Sequence, residues 1–181
     1  MSFYPKGTFS GNYIPRGDTI EADCVIGNEF AAPKPDNGFG AVNVALARFI
    51  ADRFVGLPMM LNRNIAGALQ QINQQIQPEL VFSGDSANIT GTRGEGTWGE
   101  LRQAKQFMDE QELRKPIIVA QAFHVGRVAA QAELFEISPI VPADLPEQFD
   151  PLSDQRWTRG WLMWATHELL GVPVLRRRGE F

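Results

Sequence analysis

The chain has 181 residues, 44% of them hydrophobic and 21% charged, with a formal net charge of −4. That suits one soluble globular domain with a sizeable core, and the acidic balance argues against a dedicated nucleic-acid binder, which shows a basic face. The one basic run, Arg176 to Arg178, reads as a solvated tail.

Cys24 is the sole cysteine, so no intrachain disulfide can form and a reducing compartment is expected. The first twenty residues hold Pro5, Gly7, Gly11, Pro15 and Gly17, without the basic start and apolar run of a secretory signal. No apolar stretch approaches the roughly 20 residues that span a bilayer. The expectation is a cytoplasmic protein with no membrane partner.

Residues 1–19, rich in turn formers and aromatics, are expected to form an arm or short edge strands, and residues 20–181 a single α/β domain. "ADCVIGNEF" reads as a buried first strand ending near Gly27, followed by the Pro- and Gly-punctuated loop "AAPKPDNGFG". Val42, Leu46, Phe49 and Ile50 share one face of a helix. "LPMML" is too short for periodicity to separate a strand from apolar packing. Ile65, Leu69, Ile72 and Ile76 then recur at helical spacing with glutamines and Asn73 on the wet side. "ELVFSG" is a second strand, and the polar loop "DSANITGTRGEG" leads to a helix opened by Thr97 with Leu101, Ala104, Phe107 and Met108 inward.

"PIIVAQ" is the near-continuous apolar run of a strand covered on both faces. A helix from about His124 follows, burying Val125, Val128, Ala129 and Ala132. "SPIVPA" reads as a last short strand, and a long helix carrying Trp157, Trp161 and Trp164 closes the chain. Strands alternating with amphipathic helices imply parallel pairing through right-handed crossovers. The fold class is therefore α/β: a three-layer sandwich with a mostly parallel, open, Rossmann-like sheet and helices on both faces.

In such sheets ligands bind beyond the carboxyl ends of the strands, where helix N-termini offer unpaired N–H groups to anions. The residues at those places are Gly27, Asn28 and Glu29, then Ser83, Gly84 and Asp85, then His124 with Arg127. His124 and Arg127 stand at i and i+3 and share a helix face. An arginine there can grip a carboxylate or phosphate, and a histidine can donate, accept or shuttle a proton. The bland alternative pairs Arg127 with a surface acid and His124 with local backbone.

The segments "ELVFSGD", "TWGELRQAKQFM" and "KPIIVAQAFHVGRVAA" resemble the YdcF/SanA/ElyC-like family of α/β domains of largely unknown function. Its members carry a strand ending in Ser-Gly-Gly, a helix beginning Ser/Thr-x-x-Glu or Ser-Glu-Ala, and a strand running into Thr-Ser-x-x-His-x-x-Arg. Ser83 and Gly84, Glu100, and His124 with Arg127 stand at those positions, and Arg63 resembles the family's arginine ahead of the second element. The match runs loosely over residues 20–170. It departs at Asp85, where a glycine is usual, at "AQAF" before the histidine, and in lacking an Asn-Thr-x-x-Asn-type block. Many members are membrane-tethered. The resemblance implies that Ser83, Gly84, Glu100, His124, Arg127 and Arg63 line a pocket.

Thr97-Trp98-Gly99-Glu100 is also a capping box, which places Glu100 in helix-capping structure ahead of a site role. Residues 86–96 match neither the phosphate loop nor the dinucleotide fingerprint, and read as a lid or a solvated connection. Two histidines and one cysteine do not supply the usual zinc sets, so no metal is expected. No Gly-x-Ser-x-Gly elbow supports a serine hydrolase. Trp157, Trp161 and Trp164 on one face suggest core packing or a subunit contact, which makes a homo-oligomer through this helix a candidate assembly. Glu168, on the same face, suggests a buried pair with Arg63 or Arg159.

The reading that results is a small-molecule enzyme or binding protein for a phosphate-bearing or otherwise anionic, nucleotide-like ligand. Arg127 holds the anion with Arg63 and the amides after Gly84, His124 is acid–base group or hydrogen-bond donor, and Asp85 or Glu29 is the carboxylate that supports hydrolysis or group transfer. The cofactor is unspecified, with a nucleotide or adenosine-type molecule as the candidate. The alternative is a non-catalytic ligand-sensing or regulatory domain of the same family.

Overall fold

A computed structural model describes residues 14–82 and 96–178. Four parallel strands form one open sheet: β1 (Cys24–Gly27), β2 (Met59–Leu61), β3 (Leu80–Val81) and β4 (Pro116–Val119), in the order β3-β2-β1-β4. Register is set by Val25 against Met59 on one side of β1 and Val25 against Ile117 on the other. Cys24, Val25, Ile26, Ile117, Ile118 and Val119 are all fully buried, as strands covered on both faces must be. The short run "LPMML" is therefore a strand; its pairing partners decided what its five residues could not.

The connections explain the layers. β1 passes through α1 (Ala41–Arg53) to β2, and β2 through α2 (Arg63–Ile72) to β3, both steps moving one way along the sheet. α3 (Gly96–Glu110) then carries the chain back across to β4, and α4 (Ala122–Glu133) follows it. Right-handed crossovers in opposite directions place α1 and α2 on one face and α3 and α4 on the other, and the two pairs pack together accordingly. The architecture is an α/β Rossmann-like sandwich. Its strand order reverses between β1 and β4, and ligands of such sheets bind beyond the carboxyl ends of the strands at a switch point of this kind.

Three sequence expectations change. "SPIVPA" forms no strand. Ile140 and Val141 make isolated bridges only, parallel to Ile117 and antiparallel to Arg16, because Pro139 and Pro142 on either side lack the N–H a ladder needs. α2 stops at Ile72 rather than running through Ile76: the Asn73 side chain accepts from the Gln75 N–H at 3.0 Å, a local turn that competes with the helix, and Ile76 packs into the core from the following loop. The three tryptophans do not share one helix. Trp157 lies on a 3-10 turn (Arg156–Thr158), and α5 (Trp161–Arg178) begins after Gly160. Trp157 and Trp164 still converge, stacking about His167 at centroid distances of 4.7 and 5.6 Å, while Trp161 is 50% exposed.

Two glycines are dictated by geometry. Gly40, the residue before α1, has φ +77°, and a Cβ there would lie 2.5 Å from Asp150 Oδ2. Gly27 closes β1 where a Cβ would lie 2.7 Å from Leu61 Cδ2, so its place in the chain is a close approach between strand and core.

Candidate functional site

Asn28, the residue after β1, is anchored by its N–H on the Val119 carbonyl at 3.0 Å. Asn62 follows β2. Its N–H meets the Gly27 carbonyl at 2.9 Å, and its side-chain oxygen caps α2 by accepting from the Asn64 N–H, also at 2.9 Å. These bonds leave both amide groups facing the carboxylate of Glu100 on α3. Asn28 Nδ2 donates to Oε2 at 2.6 Å and Asn62 Nδ2 to Oε1 at 2.7 Å. Glu100 is buried, and burial raises its pKa above the ordinary 4.5, opposed by the hydrogen bonds from Asn62 and Asn28. With both oxygens engaged at the strand ends, Glu100 is not the capping partner that its spacing from Thr97 suggested.

Beside this cluster, Glu29 is buried and accepts from Asn64 Nδ2 at 2.5 Å, while Arg63 is exposed in the first turn of α2. Gly27 contributes packing and its carbonyl. Ser83, Gly84 and Asp85 lie outside the described residues, as do residues 86–95 of the 86–96 loop that reads as a lid or a solvated connection.

One helix turn before Glu100, Thr97 brings its hydroxyl to 3.4 Å from His124 Nε2. Arg127 Nη2 lies 3.0 Å from His124 Nδ1, and Arg127 Nε donates to Glu168 Oε1 on α5 at 3.1 Å. So His124 and Arg127 do share a face, but Arg127 pairs with a buried acid: the Glu168 side chain is 2% exposed and that of Arg127 12%. This corrects the expected partners of Glu168. Arg159 instead donates through Nε to the Ser153 carbonyl at 2.6 Å.

The imidazole of His124 is walled by Phe30 and Trp164, with ring centroids at 6.0 and 5.5 Å. Burial holds its pKa well below the ordinary 6.5, and the charges of Arg127 and His167 push the same way. At neutral pH the ring is uncharged.

The N-terminus of α4 is closed to an anion, contrary to expectation. Gln121 is fully buried; its Oε1 accepts from the Phe123 N–H at 2.7 Å, its backbone carbonyl from His124 and Val125, and the Ala122 N–H goes to the Pro146 carbonyl. At this helix start, a negative ligand group must be met by side chains. Asn28 Oδ1 is buried and has no partner among the described residues.

Asn62, Thr97, Gln121 and Glu168 complete this arrangement and were absent from the sequence-based site. The strand-end rule would have found Asn62 had "LPMML" been read as a strand, and helical i, i+3 spacing from Glu100 would have found Thr97. Nothing in the sequence paired residue 127 with residue 168.

Fold and site thus define an α/β protein with a buried polar cluster at the carboxyl edge of a parallel sheet. No family model, no curated protein and no solved structure matches the chain.

Proposed function

We propose that the chain is a small-molecule enzyme or binding protein whose ligand sits in the crevice between the ends of β1 and β4 and carries a phosphate or other anionic group. The observation behind this reading is Glu100: a buried carboxyl held by asparagines from two strand ends, with no cation bonded to it among the described residues. Burying such a charge is costly, and a core gains nothing from it; binding sites are where that cost is kept. Its neighbours suggest a ligand with two kinds of group. The Glu100 carboxylate and Asn28 Oδ1 call for hydroxyl or amine donors, whereas Thr97 and Arg127 suit an anionic oxygen. A nucleotide-like molecule or a sugar phosphate carries both.

Thermal shift against nucleotides, adenosine-type cofactors and sugar phosphates tests the reading. A ligand of this kind at 100 times its dissociation constant stabilises the chain by about 2.7 kcal/mol. No shift with any of them sinks the anionic reading.

A second reading, a non-catalytic sensing or regulatory domain of the YdcF-like type, is favoured by His124 itself, whose Nδ1 is already engaged by Arg127 and is not free to act as a base. If His124→Ala abolishes turnover of a bound ligand but preserves affinity, the enzyme reading holds, with hydrolysis or group transfer as the reaction class. If it only weakens binding, the sensor reading holds.

Among the described residues no helix is long and apolar enough to cross a membrane. The single buried thiol of Cys24, its pKa pushed up by burial, accords with a cytoplasmic setting. A homo-oligomer through α5 would cover Trp161, at 50% exposure, and Leu162, at 72%. Sedimentation should then give a mass above one chain that falls in Trp161→Glu; a monomer at all concentrations excludes it.

A further inference from the structure

The contacts of His124 fix the direction of a hydrogen-bond chain. A guanidinium only donates, so at 3.0 Å Arg127 Nη2 donates to His124 Nδ1. The neutral ring has a single proton, and it must then reside on Nε2, which faces Thr97 Oγ1 at 3.4 Å. Thr97 therefore accepts from the imidazole, and its own proton is left to donate. At the other end, Glu168 Oε1 holds Arg127 by Nε and sets the plane of the guanidinium. Phe30 and Trp164 hold the ring in place and keep it dry.

We propose that Glu168 and Arg127 are positioning residues that lock His124 as a donor, and that Thr97 is the contact residue, presenting a hydroxyl proton to an anionic oxygen of the ligand, phosphoryl or carboxylate. His124 in this arrangement stabilises negative charge and abstracts no proton. The ligand half of the proposal rests on the anionic reading above; the tautomer half stands without it. Among the described residues, the charged and titratable groups about the ring are Arg127 from its own helix and His167 from α5, with Glu168 bonded to Arg127.

Nitrogen NMR on the histidine-labelled full chain reads the tautomer directly, with His167→Gln assigning the two rings. The expected result is a protonated Nε2 and unprotonated Nδ1 for His124, unchanged from pH 8 to pH 6. An Nδ1–H tautomer, or a ring that titrates near 6.5, overturns the relay. For the ligand half, inorganic phosphate is the probe. Its stabilising effect should persist in Thr97→Ser and its affinity fall at least tenfold in Thr97→Val, which keeps the shape and removes the hydroxyl. Undiminished phosphate binding by Thr97→Val overturns the role of Thr97. A wild-type chain indifferent to phosphate overturns the oxyanion contact, while the tautomer measurement decides the relay independently.

Discussion

Arg127→Met is expected to be the most damaging single change to the described part of the chain, lowering stability by about 3–5 kcal/mol in urea denaturation. The reason is the group left behind. The Glu168 side chain is 2% exposed, with Oε1 bonded to Arg127 and Oε2 without a partner among the described residues. Deleting the guanidinium strands a buried carboxylate and also removes the donor to His124 Nδ1. The double variant Arg127→Met/Glu168→Leu should recover most of the loss, because replacing both members of a buried pair by apolar groups is often neutral. The exposed pair of Arg53 and Asp144 provides the contrast: solvent screens it, and its removal should cost roughly 0–1 kcal/mol. A loss below about 1 kcal/mol for Arg127→Met would mean that Glu168 is solvated, contrary to its burial.

Glu100→Gln should act in the opposite sense, and its effect should depend on pH. Burial raises the Glu100 pKa above its unfolded value, so the folded chain keeps this proton longer than the unfolded one. The group's favourable contribution is thus complete below the unfolded value near 4.5 and is lost as pH rises through the folded value. Glutamine does not titrate. The melting temperature of the variant should gain on that of the wild type as pH rises from 4.5 through the folded value, and hold that advantage above it. The geometry permits the swap. Asn62 cannot flip, since its oxygen caps α2, but Asn28 can, because its oxygen has no partner among the described residues. After the flip, the introduced glutamine would accept from Asn62 and donate to Asn28. A difference that stays constant with pH, or moves against the variant, would refute the placement of a charged carboxyl in a dry crevice. Gaining stability by removing a residue is what a binding site, rather than a core, leads one to expect.

The elements that the sequence reads correctly are those whose signal is local. Val42, Leu46, Phe49 and Ile50 share the buried side of α1, and the unbroken apolar run of β4 is buried along its whole length. Readings stay open or fail where a neighbour in space decides. Met59–Leu61 becomes a strand because β1 and β3 flank it, and Ile140 manages only a bridge because prolines on both sides limit its pairing.

At the site the same division holds. Asn28, Glu29, His124 and Arg127 are legible as strand-end and helix-start residues, since a parallel sheet sends its loops to one edge. The capping pattern of Thr97 and Glu100 misleads, because a short-range hydrogen bond and a long-range one call for the same residue types. What only tertiary structure settles is pairing: Glu100 with Asn28 and Asn62, Arg127 with Glu168, and His124 with Thr97. Periodicity tells which way a side chain points along its own element. It carries no information about what an element 38 or 72 residues away brings to meet it, and the polar cluster at the strand ends consists of such meetings.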